Sequence, residues 1–154
     1  MTDRAEKTKI YAIRLKPTQD LYLELQKFVD ECKIEAGWVA TCAGSLTDYN
    51  IRFANRQEGS QGKGHFEIVS LSGTLSTHGS HIHIAISDPD GKTLGGHLLQ
   101  GCKIYTTAEI VIGSSTEILF TREKDGSTPW AELQIRKKPR SEEHTSELQS
   151  RQVI

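Results

Sequence analysis

His81, His83 and His97 are the residues of this chain whose types and spacing can do chemistry together. The first two alternate with isoleucine in His81-Ile82-His83-Ile84-Ala85-Ile86. A period of two is that of a strand, so both imidazoles leave one face, about 6.5–7 Å apart along it. Asp88-Pro89-Asp90-Gly91 follows. Pro89 suits the first central position of a type I turn, and Gly91 the left-handed position of the bulge after it. Such a three-residue loop pairs Asp88 with Lys92, and counting back along both arms sets His83 opposite His97, with Cβ atoms about 4.5–5.5 Å apart. The convergence depends on register: a plain two-residue turn would send His97 to the other face. Gly95 and Gly96 remove side chains beside His97, as expected where something approaches the backbone closely.

Three neutral imidazole nitrogens with one position left open make a catalytic-type zinc site, whereas a structural zinc takes a fourth protein ligand. No cysteine lies near these histidines in sequence. The expected cofactor is therefore a divalent transition metal, zinc by its donor set, held by His81, His83 and His97. Glu109 sits inside the apolar run Ile104–Ile112. A carboxylate there is either edge-exposed or paired inside a site, where it would orient a ligand histidine or act as general base. His65 and His78 stand alone in the pattern and receive no ligand role.

The elements that must position these residues are legible in order. Ile10–Leu15 reads as a strand, ended by Pro17, with Thr18 or Asp20 able to cap a helix. Leu21, Leu25, Phe28, Val29 and Cys32 form one helical stripe, predicting a helix from Leu21 to about Ala36 with Gly37 as its C-cap. Its stripe is expected to pack on the chain's own sheet. Trp38–Cys42 and Leu46–Phe53 read as two strands joined at Ala43-Gly44-Ser45, and Asn55–Gly64 as an exposed mobile loop. His65–Leu75 changes apolar phase along its length, predicting a bulge near Val69-Ser70. After the histidine hairpin come strands at Ile104–Ile112, Ser115–Thr121 and Ala131–Ile135. One helix and about eight hairpin-connected strands predict an α+β domain, a largely antiparallel sheet with one main amphipathic helix packed on it.

At 154 residues the chain suits a single domain and buries roughly two thirds of its surface. Its net charge of −1 provides no global field to draw it to nucleic acid or anionic lipid. No apolar run approaches the roughly 18 residues of a membrane span. The polar start M-T-D-R-A-E-K-T-K is no secretory signal, and Cys32, Cys42 and Cys102 are widely spaced. Reduced thiols and a cytoplasmic location are expected. No nucleophile elbow, dinucleotide fingerprint or Walker pattern occurs. Residues 1–8 are expected to be flexible, 9–136 to form the domain and 137–154 to be a disordered tail. Part of that tail, R-S-E-E-H-T-S-E-L-Q-S, reads as a translated sequencing adapter, so His144 carries no functional weight and the native C-terminus is expected to be missing. Without 141–154 the balance is 18 bases to 17 acids, near neutral either way.

Four ordered motifs resemble one family. Gly64-His65-Phe66-Glu67-Ile68-Val69-Ser70-Leu71-Ser72-Gly73 resembles the G-R-F-E-I-L-S-L-S-G stretch of the plants-and-prokaryotes-conserved domain. His81-Ile82-His83, Gly95-Gly96-His97-Leu98 and Thr107-Ala108-Glu109 match its H-x-H, G-G-H and A-E landmarks. The resemblance spans about residues 8–136. It implies an α+β fold assembling as a homotrimer. In plants this domain accompanies AT-hooks in nuclear DNA-binding proteins, and its prokaryotic relatives stand alone, with DNA binding their usual provisional label. This chain departs from the pattern in having His65 for the motif's arginine and no R-G-R-P hook. Its basic cluster, Arg136-Lys137-Lys138-Pro139-Arg140, reads as a solvated strand end.

Two functions are therefore expected to compete. The first is a homotrimeric regulatory module with a three-histidine metal site that contacts DNA directly or through a partner, and no membrane. The second is a small zinc-type metalloenzyme, a hydrolase or lyase.

Overall fold

A computed structural model describes residues 7–139, so the expectations for the first six residues and for the tail beyond 139 fall outside the described part. The strands are β1 (Thr8–Leu15), β2 (Gly37–Arg52), β3 (Ser60–Leu75), β4 (His81–Ser87), β5 (Thr93–Leu98), β6 (Lys103–Ser115), β7 (Ile118–Glu123) and β8 (Glu132–Lys137). One helix, α1 (Leu21–Glu31), lies between β1 and β2. The fold is α+β, as the patterning predicts.

Six strands form an antiparallel sheet in the order β1-β6-β2-β3-β4-β5, and β7 and β8 form a separate two-stranded sheet. β2 also pairs with β5 at Ile51↔Leu98 and Arg52↔His97. Thus β2, β3, β4 and β5 close into a ring whose interior holds Leu46, Ile51, Ile82, Ile84, Ile86 and Leu98, all nearly or fully buried. This pairing covers the outer edge of β5 at its C-terminal end, where His97 lies.

The helix stripe is buried as expected: Leu21, Leu25 and Val29 are fully inaccessible, and the Phe28 ring meets Tyr11 of β1 edge-on. Asp20 caps it, accepting from the Leu23 N–H at 3.0 Å. Its other oxygen accepts from the Gly101 N–H at 2.8 Å, tying the cap to the turn before β6.

The helix ends earlier than its spacing suggests. Ile34 N–H donates to the Val29 carbonyl and Lys33 N–H to the Asp30 carbonyl, with Lys33 at φ 53°. That is a Schellman motif in which lysine takes the position glycine usually holds. Gly37 is not the C-cap; it opens β2, where any Cβ would press on the Ile34 side chain. The two strands expected at 38–42 and 46–53 are one continuous β2, with register shifts near Val39/Thr41 and Leu46/Asp48 in place of a break. Residues 60–64 of the expected loop extend β3 along β2. Polar and glycine-rich composition marked a loop there, but pairing with the end of β2 overrides it. The bulge lies where the phase change put it, between Ile68 and Ser70 in the β3–β4 ladder.

Candidate metal centre

The β4–β5 hairpin has the register that the loop chemistry demands. Asp88 N–H donates to the Lys92 carbonyl at 2.9 Å, Gly91 adopts φ 78°, and His83 pairs with His97. The Asp88 carboxylate holds the loop, accepting from the Asp90 and Lys92 N–H groups at 2.9 Å each. Ile82, Ile84 and Ile86 plug the ring interior, which forces His81 and His83 outward.

The nitrogens of His81, His83 and His97 converge, with one donor atom from each within 4.8 Å of the others. Nε2 of His81 lies 3.1 Å from Nε2 of His83. A tetrahedral ion with metal–nitrogen bonds of about 2.0–2.1 Å separates its ligand nitrogens by about 3.3 Å, so this donor set fits with a small contraction. All three rings pack within 6 Å of one another, centroid to centroid, at 4.8, 5.0 and 5.9 Å.

The surroundings of His81 and His97 disfavour the charged ring. Burial, and after it the charge of Arg52, lowers His97 to about 4. Burial lowers His81 too, followed by His83 and Arg122, with Glu132 opposing. A neutral imidazole presents a lone pair, the form a metal binds.

The glycines beside His97 serve the backbone. A Cβ on Gly96 would collide with the Arg52 carbonyl, and one on Gly95 would sit 2.6 Å from the Ile84 carbonyl oxygen. The close approach anticipated at this pair is therefore that of β4 at Gly95 and of β2 crossing onto β5 at Gly96, which seats His97 in the cluster.

Glu109 does not join the histidines within the chain. It points away from the core between buried Ala108 and Ile110, opposite Arg14 of β1 and Ala43 of β2. Both β2 and β3 lie between its strand and β4. Its charge is felt instead at Cys42, whose thiol is raised to about 11 by burial first and Glu109 second. His65 stacks on Tyr105 at 4.5 Å, and His78 sits 3.6 Å from Glu35; neither enters the cluster.

Sequence reasoning missed the surroundings of the cluster. A cavity of about 320 Å³ opens against His81 and His97, and Arg52, Arg122, Trp130 and Glu132 complete much of its wall. Arg52 is the registered neighbour of His97 on β2, while Arg122, Trp130 and Glu132 arrive with the β7–β8 hairpin. No local pattern marks them, because only tertiary contact brings that hairpin to β4.

The family model of the Plants and Prokaryotes Conserved (PCC) domain matches residues 2–116. The chain belongs to this family. It is 43% identical over 129 residues to a bifunctional protein GlmU of Synechococcus sp. (strain JA-3-3Ab), covering 84% of this chain and 21% of that protein. The chain thus spans about a fifth of the length of the curated relatives it matches. Among solved structures, a hypothetical protein of Salmonella enterica is 40% identical, with TM-score 0.85 over 88% of this chain and 99% of its own. A provisionally DNA-binding protein of Bacteroides thetaiotaomicron (21% identical, TM-score 0.72, 84% and 96% covered) shares the fold. So does a metal-containing protein of Archaeoglobus fulgidus (23% identical, TM-score 0.70, 87% and 99% covered). In this PCC-domain protein the matched segment ends before β7, so the histidines fall inside it and Arg122, Trp130 and Glu132 outside.

Proposed function

We propose that this chain is a metal-binding PCC module in which His81, His83 and His97 hold one divalent transition ion, zinc being the best match to three imidazoles and an open position. The convergence of three ring nitrogens on the outward face of β4 and β5 carries the reading. Support also comes from the lowered affinity of His81 and His97 for protons, which leaves lone pairs available at neutral pH. The test is metal content of the purified protein by mass spectrometry beside His83→Ala. About one ion per chain in the wild type, lost in the variant, is expected; a wild type that neither carries nor takes up zinc overturns it.

The module's domain spans residues 9–136 and works as a cytoplasmic homotrimer with a regulatory role. Exposed Ile10, Val69 and Tyr105 on β1, β3 and β6 are apolar surface of the kind that self-association covers. Among the described residues, no helix is long and apolar enough to cross a membrane. Contact with DNA runs through a partner more readily than directly, because two cations of the basic C-terminal cluster already face carboxylates: Arg136 pairs with Glu123 at 3.0 Å and Lys138 with Glu35 at 2.9 Å. Light scattering should give three times the chain mass. A salt titration should show weak duplex binding, whereas tight and steeply salt-dependent binding would restore direct contact.

A second reading, a small metalloenzyme of hydrolase or lyase type, draws on the cavity beside the histidines. A divalent ion there would supply Lewis-acid chemistry. Glu132, not Glu109, is the carboxylate lining that cavity, and it accepts from Thr128 Oγ1 at 2.7 Å. Metal-dependent turnover of an ester, lactone or hydration substrate would favour this reading.

A further inference from the structure

The cavity beside the histidines has a charge pattern that a metal alone does not explain. Arg52 and Arg122 both line it, and neither makes an ion pair among the described residues. One is registered with a ligand histidine and the other bonds to the strand partner of a second. Arg52 is paired in register with His97, so its side chain leaves the same face. Arg122 donates to Thr74 Oγ1 at 2.9 Å, and Thr74 is the β3 partner of His81. Arg52 spends one N–H on the Arg56 carbonyl at 3.4 Å. A guanidinium has five donors, so most of both forks stay available. Among the described residues, Glu132 is the single carboxylate on the cavity wall. Three neutral histidines neutralise none of the charge of a divalent ion. Ion and two guanidiniums against one carboxylate leave a strong positive excess in a semi-enclosed space, which calls for an anion.

We infer that this cavity binds a small oxyanion, a carboxylate or phosphate group, held by Arg52 and Arg122 at the open side of the three-histidine metal. Planar forked donors match the paired oxygens of both groups. A volume of about 320 Å³ admits a small molecule bearing the group, and exposed Trp130 offers that molecule an aromatic surface. The β7–β8 hairpin and its connection supply Arg122, Trp130 and Glu132, so this part of the wall lies beyond the family-matched segment while Arg52 lies inside it.

The inference rests on the metal reading, and one experiment separates the two. The full chain is loaded with Co²⁺ and its visible absorption followed, first with the metal alone and then with oxalate or inorganic phosphate. Saturable change of the cobalt bands by either anion is expected, and which of the two acts identifies the oxyanion. Arg52→Gln and Arg122→Gln should each weaken the anion response about tenfold or more while leaving cobalt uptake intact. Cobalt bands indifferent to both anions, or arginine variants with wild-type anion response, overturn the inference and leave the metal site standing. Failure of the wild type to take up Co²⁺ overturns the metal reading and this one with it. Using two arginine variants on different strands guards against one that disturbs folding.

Discussion

The two hairpins that meet at the site are built on opposite principles. β4–β5 belongs to the closed ring: its isoleucines are buried in the core, its loop is three residues held by Asp88, and both of its edges are paired. β7–β8 is a two-stranded sheet of its own with a long connection between its arms. It is fastened by single contacts: Ser76 Oγ donates to the Phe120 carbonyl at 3.0 Å, Phe120 N–H donates to the Glu35 carbonyl at 3.0 Å, and Arg122 reaches Thr74. Donors for a metal need fixed geometry, and the ring provides it. A wall that receives a ligand tolerates adjustment, and two-stranded sheets fastened at their margins are drawn from the less stable part of a fold. Substitutions in β4–β5 should therefore move metal binding, and those in β7–β8 should not.

His83→Ala should produce the largest effect, a drop in metal affinity of about a hundredfold or more with little change in folding, since His83 is exposed. Competition with a chromogenic chelator measures it; full metal retention would break the comparison on the β4–β5 side. Gly96→Ala should cost about 2–3 kcal/mol in chemical denaturation and loosen the ion as well, because its methyl group meets the Arg52 carbonyl where β2 closes on β5.

pH should separate the hairpins next. His97 stays neutral in the fold down to about 4, against 6.5 for a free histidine. Between these values the unfolded chain binds the extra proton, so this contribution to stability is full above pH 6.5 and is lost as pH falls toward 4. The loss should be on the order of 2 kcal/mol once partial solvent screening is allowed for. Denaturation of chelator-treated protein between pH 7.5 and 4.5 should show it, and His97→Gln should flatten it. The smallest effect belongs to the fastening of the other hairpin: Ser76→Ala, which removes the bond to the Phe120 carbonyl of β7, should cost about 1 kcal/mol and leave metal content unchanged. Metal loss in that variant would mean the two hairpins are not independent.

Much of the fold was legible because local chemistry and tertiary context agreed. Asp88-Pro89-Asp90-Gly91 specifies its own loop, the isoleucine alternation specifies a face, and together they fix the pairing of His83 with His97. The phase change at Val69-Ser70 is likewise a local signal of a local bulge. Errors arose where one part of the chain answered to another. Lys33 rather than Gly37 ends α1, because the chain must turn into β2 sooner than the stripe of apolar residues suggests. The glycine-rich residues 60–64 become strand because the end of β2 offers them a partner.

The same division runs through the site. By itself the sequence determined that His81, His83 and His97 share a face, since a strand's period and a turn's length are properties of a few adjacent residues. Only the tertiary structure decided that Glu109 faces away from them and that Arg52, Arg122 and Glu132 line the space beside them. Ring closure brings Arg52 to His97, and the docking of β7–β8 brings Arg122 to Thr74. Both join positions far apart in the chain, and the short-range spacing that announced the histidines carries no signal of such encounters.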